Sequence, residues 1–246
     1  MYNFSVRPCK SALADQIGAA RQLFISNLEL EDGWDSCPLD AMDGEQMEEA
    51  RDLLIDAGQK IALLRCSLPM EERERLERFF QKAHLLNAEA VRMECRKYTD
   101  FSRLLSDFQQ AVRIGQAYGI QVYFENSADS LLNTRESIEW FFQRIEGSSG
   151  WIFNPLEMVK TGRHPFFHVF YSTHLKNQIA VLRINDGLYQ SKNACLPGHG
   201  NGEIKELASI LLARSFRGYF SFSLPSSGGF SMEESVALFK GMLKEM

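Results

Sequence analysis

Residues 179–212 read IAVLRINDGLYQSKNACLPGHGNGEIKELASILL. The opening IAVLRI is too short and too β-branched for a helix and reads as a buried strand. It breaks at Asn185-Asp186-Gly187 and runs through a loop ending in Pro197-Gly198-His199-Gly200-Asn201-Gly202. Ile204, Leu207, Ala208, Leu211 and Leu212 then recur at helical spacing, with Asn201 placed as the N-cap. Strand, glycine loop and helix make one β/α unit. Its loop would bring backbone N–H groups and the positive end of a helix to one spot.

The same unit recurs outward from this stretch. Strands are expected at Tyr2–Arg7, Asn27–Glu31, Ile61–Ser67, Ala90–Arg96, Ile120–Glu125, Trp151–Asn154 and Tyr219–Leu224. Helical patterns follow them at Ala12–Phe24, Asp43–Ala57, Pro69–His84, Phe101–Tyr118, Asn133–Ile145, Pro165–Leu175 and Ser231–Met246. Capping-box spacings mark three starts: Asp43 with Gln46, Asn133 with Glu136 and Ser231 with Glu234. Eight strands, each followed by a helix and with no hairpin signal, predict a parallel sheet. Eight β/α units in 246 residues predict a (β/α)8 TIM barrel in a single domain spanning 1–246. An open doubly wound sheet is the alternative. Against it, the glycine loops come late and no G-x-G-x-x-G follows the first strand.

Composition narrows the function. Net charge is -5 and the pI about 5.6, which argues against a nucleic-acid surface. Mean hydropathy is -0.24, and no apolar run approaches the roughly 18 residues of a membrane span. No secretion signal opens the chain. Five cysteines lie far apart, with no Cys-x-x-Cys, which predicts reduced thiols in a cytoplasmic setting.

One face of most strands is polar: Asn3/Ser5/Arg7, Asn27/Glu29/Glu31, Arg65/Ser67, Arg92/Glu94/Arg96, Gln121/Tyr123/Glu125, Arg183/Asn185 and Ser221/Ser223. In a barrel that face lines the lumen. Deep positions would form an ion-pair plug. Residues at the C-terminal strand ends, where barrel sites form, are the functional candidates: Arg7, Glu31, Ser67, Arg96, Glu125, Asn154, Arg183 or Asn185, and Ser223.

The segments VYFENSAD (122–129) and NTRESIEWFFQRI (133–145) resemble the fifth β/α unit of the xylose isomerase-like barrels, the sugar phosphate isomerase/epimerase superfamily. WIFNP (151–155) resembles the sixth strand, VLRIND (181–186) with LPGHGNGEIKEL (196–207) the seventh unit, and RGYFSFSLP (217–225) the eighth strand. The resemblance covers residues 100–225; the first four units share only its rhythm. It implies one divalent metal held by Glu, Asp, His and Glu from strands five to eight, with both glutamates moving protons. Here Glu125 is kept, while Asn154, Arg183 and Ser223 stand at the other three positions.

These departures leave two functions open. One is a sugar or sugar phosphate isomerase or epimerase that transfers protons at the barrel mouth over a degraded metal site. Glu125, Arg183 and His199 would be its catalytic residues, with Arg183 pairing with Glu125 or polarising a substrate oxygen. The other is a non-catalytic barrel that binds a sugar-like or anionic ligand. No cofactor is expected, and manganese or zinc is the metal to test. The partner is a small carbohydrate or phosphorylated ligand. Arg7, Arg96, Asn154 and Ser223 would line its site, with Gly200, Gly202, Ser226 and Gly228 of the last two glycine loops offering donors to an anion. His164, His168 and His174 lack the Glu of His-Glu-x-x-His and read as ordinary helix residues.

Overall fold

A computed structural model describes residues 2–170, 175–224 and 229–246. Eight parallel strands close into a barrel: Asn3–Arg7, Asn27–Leu30, Lys60–Cys66, Ala90–Met93, Gln121–Glu125, Ser149–Phe153, Ile179–Arg183 and Tyr219–Ser223. Each pairs with its neighbours in chain order, and the last meets the first. Helices alternate with the strands, so the fold is a (β/α)8 barrel.

Two short antiparallel ribbons depart from the expected absence of hairpins. Gly33–Trp34 pairs with Cys37–Pro38, and Asp186–Gly187 with Ala194–Cys195. Both are two-residue excursions inside loops, too brief to show alternation.

The chain divides into two compact units. One comprises Ser5–Phe124 and Arg144–Gly150. Its outward strand residues Val91, Val122 and Phe124 are fully buried, as are Leu76, Phe79, Phe80, Phe108 and Val112 on its helices. Phe108 meets Phe124 edge to face, with ring centroids 6.0 Å apart. The other unit comprises Met1–Phe4, Glu125–Gln143 and Trp151–Met246. Trp151, Phe153, Phe220, Phe222 and Phe239 form its centre, and Phe220 and Phe239 lie 5.3 Å apart.

Local chemistry accounts for the element ends. The Asp43–Gln46 and Ser231–Glu234 capping boxes are formed. The third expected box sits one residue later, on Thr134 and Ser137, and opens a helix at Arg135–Phe142. Pro69 opens a turn instead of a helix, and the helix starts at Arg73. Pro155 does start one, Pro155–Lys160, at the first-turn position proline favours. The first helical pattern was expected to run to Phe24. That helix stops at Gln22, and Phe24 follows in a left-handed conformation (φ 55°), 91% exposed. The helical stretch expected over Pro165–Leu175 is described as Pro165–Phe170 and, from Leu175, Leu175–Gln178. No helix among the described residues is long and apolar enough to cross a membrane.

Candidate functional site

Glu125 ends the fifth barrel strand, and close packing fixes that strand's position. Helix Phe101–Ala117 approaches it at Gly115, where a Cβ would meet Val122 Cγ2 at 2.6 Å and Ile120 O at 2.8 Å. Only glycine permits this approach. The next residue, Asn126, spends its whole amide on the neighbouring strand. Its Oδ1 accepts from Trp151 Nε1 at 3.1 Å and from Asn154 N at 2.8 Å, and its Nδ2 donates to Asn154 O at 2.9 Å. Asn126 thereby sets Asn154 beside Glu125.

The Glu125 carboxylate is fully engaged. Arg183 Nε donates to Oε1 at 3.3 Å and Nη2 to Oε2 at 3.2 Å, while Asn154 Nδ2 donates to Oε1 at 2.8 Å. Arg183 is 1% exposed and the Glu125 side chain 14%. The third guanidinium nitrogen of Arg183, Nη1, donates to Ser221 Oγ. These two are register partners on adjacent strands, so their side chains share a face. Two residues further along each strand, Asn185 Nδ2 donates to Ser223 Oγ at 3.2 Å. The Oδ1 atoms of Asn154 and Asn185 are buried and accept no hydrogen bond among the described residues.

This donor set does not fit a divalent metal. Of Glu125, Asn154, Arg183 and Ser223, one is a carboxylate, and a permanently charged guanidinium already covers both its oxygens. A divalent ion would have to displace that cation or share the carboxylate with it against Coulomb repulsion, with two neutral oxygens as its remaining ligands. Among the described residues no group of three or more His, Cys, Asp or Glu is placed to hold a metal ion.

In the other unit the polar strand faces carry a chain of alternating charge. Arg7 lies 3.7 Å from Glu31, Glu31 2.7 Å from Arg65, Arg65 3.3 Å from Glu94, and Glu94 3.8 Å from Arg96. Deeper, Ser5 Oγ donates to Glu29 Oε1 at 2.6 Å. Ser67 at its strand end donates to Asp32 through N and Oγ. Arg7 and Arg96 are therefore partnered cations, while the Nε of Arg7 and of Arg65 are buried without a hydrogen bond among the described residues.

The glycine loop after the seventh strand holds an anion of its own. Asp186 Oδ2 accepts from Gly198 N at 2.8 Å and Gly200 N at 3.0 Å. Its Oδ1 accepts from Gly202 N and Gly187 N, both at 2.7 Å. The contacts expected for an external anion at Gly200 and Gly202 are thus taken by this buried carboxylate. Burial pushes the Asp186 carboxyl up, and the four amide donors pull against that. A Cβ on Gly202 would meet Asp186 Oδ1 at 2.7 Å, so the glycine serves the Asp186 cradle. The expected N-cap, Asn201, instead accepts Tyr189 N at 3.0 Å, and Glu203 in a left-handed conformation precedes helix Ile204–Ala213. His199 is exposed and lines an outer cavity of about 520 Å3 with His164, Tyr189 and Glu203, a lining that excludes Glu125 and Arg183. His164 and His168 are joined by the helix backbone, with His168 Nδ1 2.6 Å from His164 O. Ser226, Gly228 and His174 lie outside the described residues.

No protein-family model matches the sequence, and no curated protein matches it significantly. Solved structures do match. A xylose isomerase-like TIM barrel protein from Mycobacterium smegmatis, solved in complex with magnesium, superposes with a TM-score of 0.78 at 14% identity, over 99% of this chain and 96% of that one. The fold is that of a xylose isomerase-like TIM barrel. A sugar phosphate isomerase/epimerase from Parabacteroides distasonis gives 0.71 at 12% identity, over 97% and 93%. The probable 3-DHS dehydratase of petrobactin synthesis from Bacillus anthracis gives 0.76 at 13% identity, over 98% of each chain. At these identities the likeness speaks for the fold alone.

Asn126 and Asp186 do the positioning at this site, and sequence reading gave neither that role. The adjacency of Asn126 to Glu125 and the four glycines after Asp186, Gly187, Gly198, Gly200 and Gly202, were the available signals. Neither reveals which backbone groups an amide or carboxylate will reach.

Proposed function

We propose that this protein is a metal-independent carbohydrate-binding barrel that does not isomerise its ligand. The observation that supports it is the closure of Arg183 and Asn154 on Glu125, which commits the carboxylate that proton transfer would need. A neutral hydroxylated ligand suits the geometry better than a phosphorylated one. The glycine-loop amides are occupied by Asp186, and the orphaned Oδ1 atoms of Asn154 and Asn185 call for hydroxyl donors. Five free cysteines fit work in a reducing, cytoplasmic compartment. Proton transfer by Glu125 is the competing reading, favoured by a carboxylate kept at a C-terminal strand end.

A panel of aldoses, ketoses and their phosphates in D2O with excess chelator separates the two. Saturation-transfer NMR should show a neutral sugar binding. Its C–H positions should gain no deuterium above a protein-free control. Deuterium incorporation that vanishes in Glu125→Gln would establish proton transfer and overturn the proposal.

A further inference from the structure

The third and fourth barrel strands, Lys60–Cys66 and Ala90–Met93, are followed by loops that enclose a cavity of about 320 Å3. It opens at the C-terminal end of the strands, the face on which barrel sites are built, and its size falls in the range of small-molecule sites. Leu68, Pro69 and Met70 make one wall and Tyr98 another. Met70 is 1% exposed, and the Tyr98 hydroxyl is directed to Asp107 at 2.9 Å, so these groups give the cavity a fixed apolar part.

All but one of its charged side chains have a hydrogen-bond partner among the described residues. Glu71 accepts from Arg103 at 3.2 Å. Asp100 caps the following helix by accepting Arg103 N at 2.7 Å. Glu94 takes Arg65 Nη2 at 3.3 Å and Arg96 N at 3.2 Å. Lys97 also lines the cavity and has neither an ion pair nor a hydrogen bond among the described residues, and the Thr99 hydroxyl beside it is equally uncommitted. The unpaired cation, Lys97, shares this lining with the apolar groups of Leu68, Pro69 and Met70.

We infer that this cavity binds a small organic monocarboxylate, its charged end on Lys97 and Thr99 and its body against Pro69 and Tyr98. Of its two cations Arg103 is committed to Glu71, which leaves Lys97 to a ligand and suits one negative charge; a phosphate dianion would meet Glu71, Glu94 and Asp100 with that lysine alone to offset it. The inference concerns the Ser5–Phe124 unit and does not depend on what the Glu125 cluster binds.

The probe is benzoate, titrated into the intact protein by calorimetry at low salt, with benzamide and inorganic phosphate as neutral and dianionic comparisons. Benzoate should bind in the millimolar range or tighter, and benzamide about tenfold more weakly or not at all. Lys97→Met, at an exposed position, should melt with the wild type and lose about tenfold in benzoate affinity, while Lys97→Arg should stay within about threefold. The inference is overturned by any of four results: no benzoate binding, equal benzamide binding, phosphate binding tighter than benzoate, or unchanged affinity in a folded Lys97→Met.

Discussion

The buried guanidinium of Arg183 closes on both carboxylate oxygens of Glu125, Nε on Oε1 at 3.3 Å and Nη2 on Oε2 at 3.2 Å. A bidentate pair of this kind fixes both side chains in the plane of the fork. Both oxygens of the carboxylate at the end of the fifth strand are thereby held in an ion pair.

Glu125→Gln keeps the shape and removes the charge, leaving Arg183 buried without its counter-ion. The expected loss is about 3 kcal/mol in urea unfolding, because breaking one side of a buried pair strands the other. Adding Arg183→Met should recover part of that loss. A cost below about 1 kcal/mol for Glu125→Gln would show that water already reaches the pair and weakens it.

Asp186→Asn replaces one carboxylate oxygen with an N–H2 that faces backbone donors. Four amides converge on Asp186, so a loss of about 2 kcal/mol is expected. Gly200→Ala should also destabilise, since its Cβ would press on Gly187 O and Asp186 Oδ1. Unchanged melting of both variants would mean that the loop does not depend on its internal anion.

Thiol chemistry offers a pH test. Burial and the charge of Asp186 push the Cys195 thiol up to about 11, and burial pushes Cys66 up to about 12. With a value near 11, roughly one Cys195 in a thousand is thiolate at pH 8, and its alkylation should accelerate about tenfold per pH unit above that. Exposed Cys9 should label first with iodoacetamide, read by peptide mass spectrometry. Asp186→Asn removes a charge that holds the Cys195 thiol up, so the pH midpoint of Cys195 labelling should fall. A rise would contradict the assignment.

The barrel could be read from the sequence because its signal is repeated. Alternating strand and helix patterns occur eight times, and slips at single boundaries, such as Pro69 or Asn133, leave the count intact. The polar strand faces were also readable, and the Arg183–Glu125 pairing follows from two inward positions of opposite charge. The glycine loop was not. Pro197–Gly202 has the composition of an anion site, and so it is, but the anion is Asp186, eleven residues upstream of Pro197 in the chain. Loop closure brings the two together through Gly187 O, which accepts Asn201 N at 2.7 Å, and no periodicity records that contact. Phe24 failed for a related reason: its spacing matches the helix, while the chain leaves the helix two residues earlier.

Calorimetric titration of manganese into chelator-stripped protein tests the closed ion pair most directly. No saturable heat is expected up to about 1 mM metal, because the ion would have to displace Arg183 from Glu125. A one-to-one site of micromolar affinity, abolished by Glu125→Gln, would show that Arg183 yields to a metal and would contradict the account.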